Sequence, residues 1–178
     1  MKVPRSVFTA ALLSFIAVTL TANAQEKKAP LSPPASASVQ LGNASVKVDY
    51  SAPSVRGRKI MGGLVPYDKW WRTGANAATT LTTSADLDID GTNLPAGTYT
   101  LFTLPSEGTW KLIVSKATKE WGTEYDQSKD FARIDMHKKS LSSPQEVMSI
   151  SFENTHGKKT EMHVKWENID VWSDVSAK

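Results

Sequence analysis

The chain has 178 residues, of which 40% are hydrophobic and 22% charged, and its formal net charge is +3 at pH 7. It contains no cysteine, which excludes a disulfide framework and a thiol for lipid attachment, so its stability must come from packing. Two of the cations, Lys2 and Arg5, lie at the N-terminus, and residues 25–178 carry only +1. This balance argues against a nucleic-acid partner, because such proteins gather unbalanced cations on one patch.

Residues 1–24 predict a secretory signal peptide. Lys2 and Arg5 precede an apolar run from about residue 7 to residue 20, and Ala22–Ala24 form an A-x-A cleavage site. The run is shorter than the roughly 18 to 20 residues that span a bilayer core. We therefore predict cleavage near Ala24, an exported periplasmic or extracellular protein, and no transmembrane segment in the mature chain.

Residues 25–38, QEKKAPLSPPASAS, predict a disordered linker. The segment is rich in Pro, Ser and Ala, and Leu31 is its only sizeable apolar side chain. It therefore buries too little surface to offset the entropy lost on ordering. The remaining residues, 39–178, match the usual size of one domain with a single core.

From Val39 onward, apolar side chains recur at every second position, which is the period of a strand with one buried face. In residues 161–166 this pattern predicts that Glu161, His163 and Lys165 face water. The segment TYTLFTL is apolar on both faces, as a central strand of a sheet would be. The alternation is clearest in four segments: residues 44–50, 110–114, 148–152 and 161–166.

Turn-forming residues separate these runs, at Asp90–Gly91, Pro95–Gly97, Glu107–Gly108 and residues 154–158. Short strands about 8 to 12 residues apart, without a long helical pattern, predict an all-β fold. We predict a single antiparallel β-sandwich, jelly-roll-like or immunoglobulin-like, with long shaped loops and at most one or two short helices. The best candidate for a short helix lies within residues 119–130.

The run D-x-D-x-D-G at residues 86–91 begins like a calcium-binding loop. The twelfth position of such a loop should be a bidentate glutamate, and here it is Gly97. We interpret the aspartates instead as the exposed side of an edge strand, with Leu87 and Ile89 pointing inward.

The three histidines, His137, His156 and His163, could supply imidazole ligands to a metal only if they converged, and their spacing does not require this. The sequence also has no G-x-S-x-G nucleophile motif. We therefore predict no metal and no cofactor.

Residues 57–81 form the most distinctive segment, GRKIMGGLVPYDKWWRTGANAATTL, in which the RTGAN loop is residues 72–76. Arg72 offers a planar fork of hydrogen-bond donors, and Asn76 offers both a donor and an acceptor. Two interpretations stay open: these side chains bind a ligand, or they bond to nearby carbonyls and hold the loop. Trp70, Trp71 and Trp121 are likewise open to ligand stacking or to packing beneath their loops.

The run YSAPSVRGRKIMGGLVPYDKWWRTGANAATTL, followed by LPAGTYTLFTLP, WKLIVSK and WGTEYD, closely resembles domain of unknown function family 2911, a set of exported bacterial proteins. The resemblance extends over residues 39–174. It implies a single, mostly β domain behind a signal peptide, and it implies no established activity.

The resemblance also supplies candidate ligand-binding residues. The family commonly carries a glutamate after the asparagine of RTGAN, whereas this chain has Ala77. If that glutamate is a general acid or base in relatives, this chain lacks it, which lowers the expectation of an enzyme. The candidates that match in place are Arg56, Arg58, Trp71, Arg72, Asn76, Thr79, Trp121, Tyr125 and Asp126.

We expect an exported module that binds a small molecule, a glycan or an envelope protein at the RTGAN loop, with the WGTEYD segment closing over it. One alternative is a hydrolase of envelope or extracellular material, with Asp126 or Glu124 as acid or base and Arg72 holding an anion. It predicts a carboxylate of raised pKa in the same cleft. The other alternative, a structural accessory protein with a protein partner, predicts an exposed apolar patch.

Overall fold

The computed structural model describes residues 30–118 and 121–178. The signal peptide predicted for residues 1–24 and the first part of the predicted linker lie outside these residues. No helix within them is long and apolar enough to cross a membrane. The strands are, in chain order, β1 (Pro34–Leu41), β2 (Ala44–Ser51), β3 (Thr79–Thr83), β4 (Leu87–Ile89), β5 (Thr92–Leu94), β6 (Gly97–Leu104), β7 (Lys111–Ser115), β8 (Asp130–Asp135), β9 (His137–His156) and β10 (Lys159–Ala177).

The strands form two antiparallel sheets that pack together. One sheet has the order β1-β2-β3-β6-β7-β8, and the other has the order β5-β4-β10-β9. The sheets do not close into a barrel, so the predicted all-β sandwich is confirmed. The helical piece expected within residues 119–130 is a single 3-10 turn at Gln127–Lys129.

The alternating apolar side chains fill the space between the two sheets. Trp110 and Trp166 are fully buried there, as the sequence pattern predicts. Strand β6 lies between β3 and β7 and is buried on both faces. Its Leu101 joins the main core, while Phe102 packs against Ile113 in a separate small cluster. The expectation of a central strand in TYTLFTL is therefore confirmed.

Strand β1 begins inside the segment that composition assigned to a linker. Pro34 pairs with Ser51 of β2, and the pairing continues to Leu41. The half-buried side of the strand is formed by the small residues Ala35 and Ala37, which alternate with exposed serines. The predicted boundary between residues 38 and 39 therefore falls within a strand. Composition does not reveal this strand, because alanines give only a weak apolar signal. Its backbone hydrogen bonds are made with β2.

Strand β10 bends near Glu167, and the bend buries His163. Its register against β9 shifts between Lys165 and Glu167 and again between Glu167 and Ile169. Glu167 also has a positive φ of 53°, and such bulges bend a strand. The bend brings Asp170 against His163, whose side chain is only 1% exposed. The prediction that His163 faces water is wrong, because strict alternation assumes a straight strand.

Candidate functional site

The RTGAN loop is held against the end of β6. The Trp71 N–H donates to the Thr103 carbonyl at 2.8 Å, and the Thr103 N–H donates to the Trp71 carbonyl at 2.9 Å. Trp71 stacks on the buried Trp166 with ring centroids 5.7 Å apart. Its neighbour Trp70 packs instead with Tyr125 in the small cluster around Phe102. The backbone at Trp71 thus pairs with β6 at Thr103, and this pairing fixes the start of the loop.

Three of the predicted site residues direct their hydrogen bonds to backbone carbonyls near the loop. The Arg72 Nη1 donates to the Gly122 carbonyl at 2.5 Å, and the Asn76 Nδ2 donates to the Ser32 carbonyl at 3.2 Å. The buried Thr79 hydroxyl donates to the Thr73 carbonyl at 2.8 Å. These are the contacts expected of side chains that hold the loop.

The two other predicted arginines behave in the same way. The Arg56 Nη2 donates to the Leu31 carbonyl at 2.7 Å. The Arg58 guanidinium donates to the carbonyls of Val55 at 3.0 Å and Ser54 at 2.6 Å. A ligand-binding role for these arginines stays a prediction, while their observed contacts brace residues 54–58.

The WGTEYD segment meets the RTGAN loop at Gly122. A Cβ atom placed there would lie 2.1 Å from the Asn76 carbonyl oxygen and 2.4 Å from the Arg72 Cδ. Only glycine permits so close an approach. The preceding residue, Trp121, is 62% exposed and does not pack beneath its loop.

A cavity of about 220 Å³ lies beside the RTGAN loop. Of the nine predicted site residues, only Arg58, Trp71 and Arg72 line it. Its volume is below the roughly 300–1,000 Å³ of typical small-molecule sites. No carboxylate belongs to its lining among the described residues, so the acid or base of the hydrolase alternative is not placed beside Arg72.

Asp126 is the N-cap of the 3-10 turn at Gln127–Lys129. Its carboxylate accepts the Ser128 N–H at 2.9 Å. Hydrogen bonding from Ser128 lowers the pKa of Asp126. A general acid at neutral pH needs the opposite shift, so this residue does not have the property that the hydrolase alternative predicts.

Tyr125 belongs to a small polar network beside the Phe102 cluster. Its hydroxyl donates to the Asp130 Oδ2 at 2.7 Å and accepts from the Arg133 Nη2 at 2.5 Å. Burial and then the hydrogen bond to Asp130 raise the pKa of Tyr125 to about 12. Tyr125, a predicted site residue, is thus held by Asp130 and Arg133.

The raised pKa predicts a late titration of Tyr125. Its folded pKa is above the unfolded value, so its contribution to stability is complete below about pH 10 and is lost as pH rises towards about 12. Ultraviolet difference titration of the wild type minus Tyr125→Phe should show one phenol with a midpoint near pH 12. A midpoint near pH 10 would contradict the observed network.

A larger cavity, of about 390 Å³, lies where the β4–β5 turn meets the β9–β10 hairpin and the end of β10. We call it the acidic cavity. Four carboxylates line it, and Lys159 is its only cationic lining residue among those described. The carboxylates are those of Asp88, Asp90, Glu161 and Asp174.

The β4–β5 hairpin positions the aspartates of the acidic cavity. The turn residues Asp90 and Gly91 have φ of 45° and 82°, the positive values that a two-residue hairpin turn requires. The Asp88 carboxylate accepts the Gly91 N–H at 2.8 Å. Leu87 and Ile89 are fully buried, so the predicted strand with inward apolar residues is confirmed. The prediction that it is an edge strand is wrong, because β4 pairs with β5 on one side and β10 on the other. Two of the aspartates of the run, Asp88 and Asp90, line the cavity.

Glu161 is held in the cavity wall by His163. The His163 Nε2 lies 2.9 Å from the Glu161 Oε2, and its Nδ1 lies 2.7 Å from the Asp170 Oδ1. A carboxylate can only accept hydrogen bonds, so both contacts form when both ring nitrogens carry hydrogen. Trp172 stacks on the imidazole with centroids 5.3 Å apart. The ring is therefore fixed on three sides.

Cations balance the carboxylates behind Glu161. The Asp170 Oδ2 accepts no hydrogen bond of good geometry and instead faces the ammonium groups of Lys139 at 3.3 Å and Lys165 at 3.8 Å. Lys165 also bonds both oxygens of Glu153, at 2.6 and 2.8 Å. We call Glu153, Glu161, His163, Lys165 and Asp170 the charge network.

The charge network predicts a loss of stability in acid. A hydrogen bond from His163 is the main cause that lowers the pKa of Glu161. Burial alone would raise the pKa of Glu153, but hydrogen bonds from Lys165 and Ser151 outweigh it and lower this pKa too. Since both folded values lie below the unfolded value near 4.5, the stabilisation is present above that pH and is lost as pH falls through the folded pKa values.

Urea unfolding measured from neutral pH down to about pH 3 checks this expectation, because this range spans the titration of an ordinary glutamate. Glu161→Gln should be less stable than wild type at neutral pH, and the difference should shrink in acid. A difference that is constant over the whole range would show that the ionised carboxylate contributes nothing.

A family model described as "Protein of unknown function (DUF2911)" matches residues 32–175. The chain belongs to this family. The resemblance read from the sequence is therefore confirmed, and the DUF2911 match contains the RTGAN loop, the acidic cavity residues up to Val175 and the whole charge network. Neither the comparison with curated proteins nor the comparison with solved structures gives a match.

Sequence reasoning missed the acidic cavity and the charge network. Their residues are spread over β4, β9 and β10, and no short motif joins them. The one local signal was the D-x-D-x-D-G run, which correctly marked a hairpin but gave no reason to look at Glu161 or Asp174.

Proposed function

We propose that this protein is an exported binding module of the cell envelope whose site is the acidic cavity, and that it takes a small organic cation carrying a primary ammonium group. The observation that carries the proposal is the set of four carboxylates facing one ammonium around a volume of about 390 Å³. That volume falls within the range of small-molecule sites. The export part of the proposal is supported by the signal-like sequence of residues 1–24.

Unbalanced carboxylates favour a cation because neighbouring like charges repel. The backbones of Asp90 and Asp174 are bonded to each other, with the Asp90 N–H donating to the Asp174 carbonyl at 3.0 Å. Like charges at facing positions of adjacent strands are destabilising. A bound ammonium group would offset this repulsion and would donate a hydrogen bond to the buried Asp90 Oδ2, which accepts none from the described residues.

The cavity walls are rigid enough to hold such a ligand in one orientation. The β4–β5 turn rests on the buried Leu87 and Ile89, and Val175 on the facing strand is 3% exposed. His163 and Asn154 each donate a hydrogen bond to the Glu161 carboxylate. Preorganised acceptors lose little freedom when a ligand binds, and this favours affinity.

Thermal unfolding with matched pairs of probes tests the proposal. Glucosamine and putrescine carry primary ammonium groups, whereas N-acetylglucosamine and butanediol have similar frames without the charge. A ligand at a hundred times its dissociation constant adds about 2.7 kcal/mol to stability. We expect the charged member of at least one pair to raise the unfolding temperature by several degrees and the neutral member to leave it unchanged.

The double variant Asp88→Asn/Glu161→Gln should weaken that binding by about tenfold or more, because each lost charge-assisted hydrogen bond contributes about 1.5–3 kcal/mol. Asp135→Asn is the matched control, because Asp135 is an exposed carboxylate on β8 in the other sheet. Equal responses to charged and neutral probes, or equal binding by the double variant and wild type, would refute the proposal.

A further inference from the structure

We infer that Asp90, His137 and Asp174 bind one divalent transition-metal cation at the wall of the acidic cavity. One ligand atom from each of the three side chains lies within 4.8 Å of the other two. The inference goes beyond the proposed function: Asp90 and Asp174 also line the acidic cavity, but the cation that it names is a metal. It departs from the sequence-based expectation of no metal, since these residues are far apart in the chain.

Adjacent strands present the three side chains to the same place. His137 pairs with Trp172 across β9 and β10, and its ring stacks on that tryptophan with centroids 5.3 Å apart. Asp174 lies two residues further along β10, on the same face of the strand as Trp172. Asp90 follows β4 directly, and its Oδ1 accepts the Asp174 N–H at 3.3 Å. Two of the three side chains are thus oriented before any metal arrives.

The spacing of the imidazole and the carboxylate suits a shared cation. The His137 Nε2 lies 3.5 Å from the Asp90 Oδ1, which is longer than a good hydrogen bond. Two ligand atoms that each lie about 2.1 Å from a tetrahedral zinc ion are about 3.4 Å apart. Asp174 is exposed, so its carboxylate can adjust to complete the set.

Asp90 supplies an independent observation that points to a cation. Its Oδ2 atom is buried and accepts no hydrogen bond, although the side chain as a whole remains 17% exposed. A buried carboxylate oxygen without a donor is costly, and a metal ion bound by both carboxylate oxygens of Asp90 would satisfy it. His137 is 53% exposed, which leaves an entry path and an open coordination position.

The ligand types select the class of metal. Calcium and magnesium prefer sites built entirely from oxygen ligands. An imidazole with two carboxylates instead suits zinc and related first-row divalent ions. His163 is not available as a further ligand, because both of its ring nitrogens contact carboxylates.

Calorimetric titration of the purified, chelator-treated protein with Zn²⁺ tests the inference. We expect one saturable site per chain, weakened about tenfold or more in His137→Gln and in Asp174→Asn, since even outer-shell changes at metal sites lower affinity 10–100-fold. His156→Gln is the matched control, because His156 is exposed and outside the ligand set. No saturable binding, or equal affinity of wild type, His137→Gln and Asp174→Asn, would overturn the inference.

A second titration separates this inference from the proposed function. Glucosamine and putrescine are titrated with a chelator present, so that organic cations are measured without metal. Loss of zinc binding alone in His137→Gln, with the organic probe still bound, supports the metal site. An organic probe that binds in the acidic cavity while zinc does not bind overturns the metal inference and leaves the proposed function standing.

If zinc binds through the three residues and neither organic probe binds, the proposed organic ligand is wrong and the metal inference holds. Circular dichroism of each variant guards against misfolding. His137→Gln alters an exposed side chain and is expected to fold even if the variants of the aspartates do not.

Discussion

Replacing Asp170 with alanine should lower the free energy of unfolding by about 3–5 kcal/mol, the usual effect of removing one partner from a buried ion pair. Asp170 is fully buried, and its carboxylate contacts His163 at 2.7 Å and Lys139 at 3.3 Å. Without Asp170, the buried imidazole of His163 loses a hydrogen-bond acceptor. The parts of β10 before and after the bend also lose the contact that joins them. Urea unfolding at neutral pH measures the loss.

Asp49→Ala is the control for this variant. Asp49 also forms an ion pair, with Lys47 at 2.8 Å, but both side chains are about half exposed, so the expected loss is at most about 1 kcal/mol. The double variant Asp170→Ala/His163→Ala should lose less than the sum of the single variants, because the two side chains interact. Additive losses would mean that the His163–Asp170 contact does not stabilise the fold.

Trp166→Ala should lower the free energy of unfolding by about 3–5 kcal/mol, because it empties the space of one of the largest core side chains. Trp166 is 2% exposed and stacks on Trp71. Its Nε1 also donates to the Glu146 carbonyl at 3.3 Å, which ties β10 to β9. The loss should appear in denaturant unfolding, and the RTGAN loop should become more susceptible to proteolysis because Trp71 loses its support.

Trp121→Ala is the matched control for the core variant. Trp121 is 62% exposed, and an exposed substitution without special contacts changes stability by no more than about 0.5 kcal/mol. A similar loss in both tryptophan variants would contradict the assignment of Trp166 to the core and Trp121 to the surface.

The fold could be predicted from sequence because its determinants are local. Period-two alternation identifies strands such as those containing Val48 and Val114, and Asp90–Gly91 identifies a hairpin from its backbone requirements alone. The alternation failed at His163, because the bulges at Glu167 bend the strand. It also gave too weak a signal at Ala35 and Ala37, where pairing with β2 rather than hydrophobicity creates the strand.

The candidate site was harder to predict because it depends on residues brought together only by strand pairing. The chemically versatile residues of the RTGAN loop attracted attention, yet their donors reach nearby carbonyls such as that of Gly122. Asp90 and Asp174 are 84 residues apart and meet only because β4 pairs with the end of β10. Long-range pairing of this kind leaves no mark in a single sequence.

Amide chemical-shift mapping during titration with glucosamine or putrescine tests most directly which part of the molecule binds a ligand. If the acidic cavity is the binding site, the largest saturable shifts should occur at Gly91, Asn154 and Thr160, which line it. Largest shifts at Trp71 and Gly74, beside the smaller cavity at the RTGAN loop, would contradict this account and return the binding site to that loop.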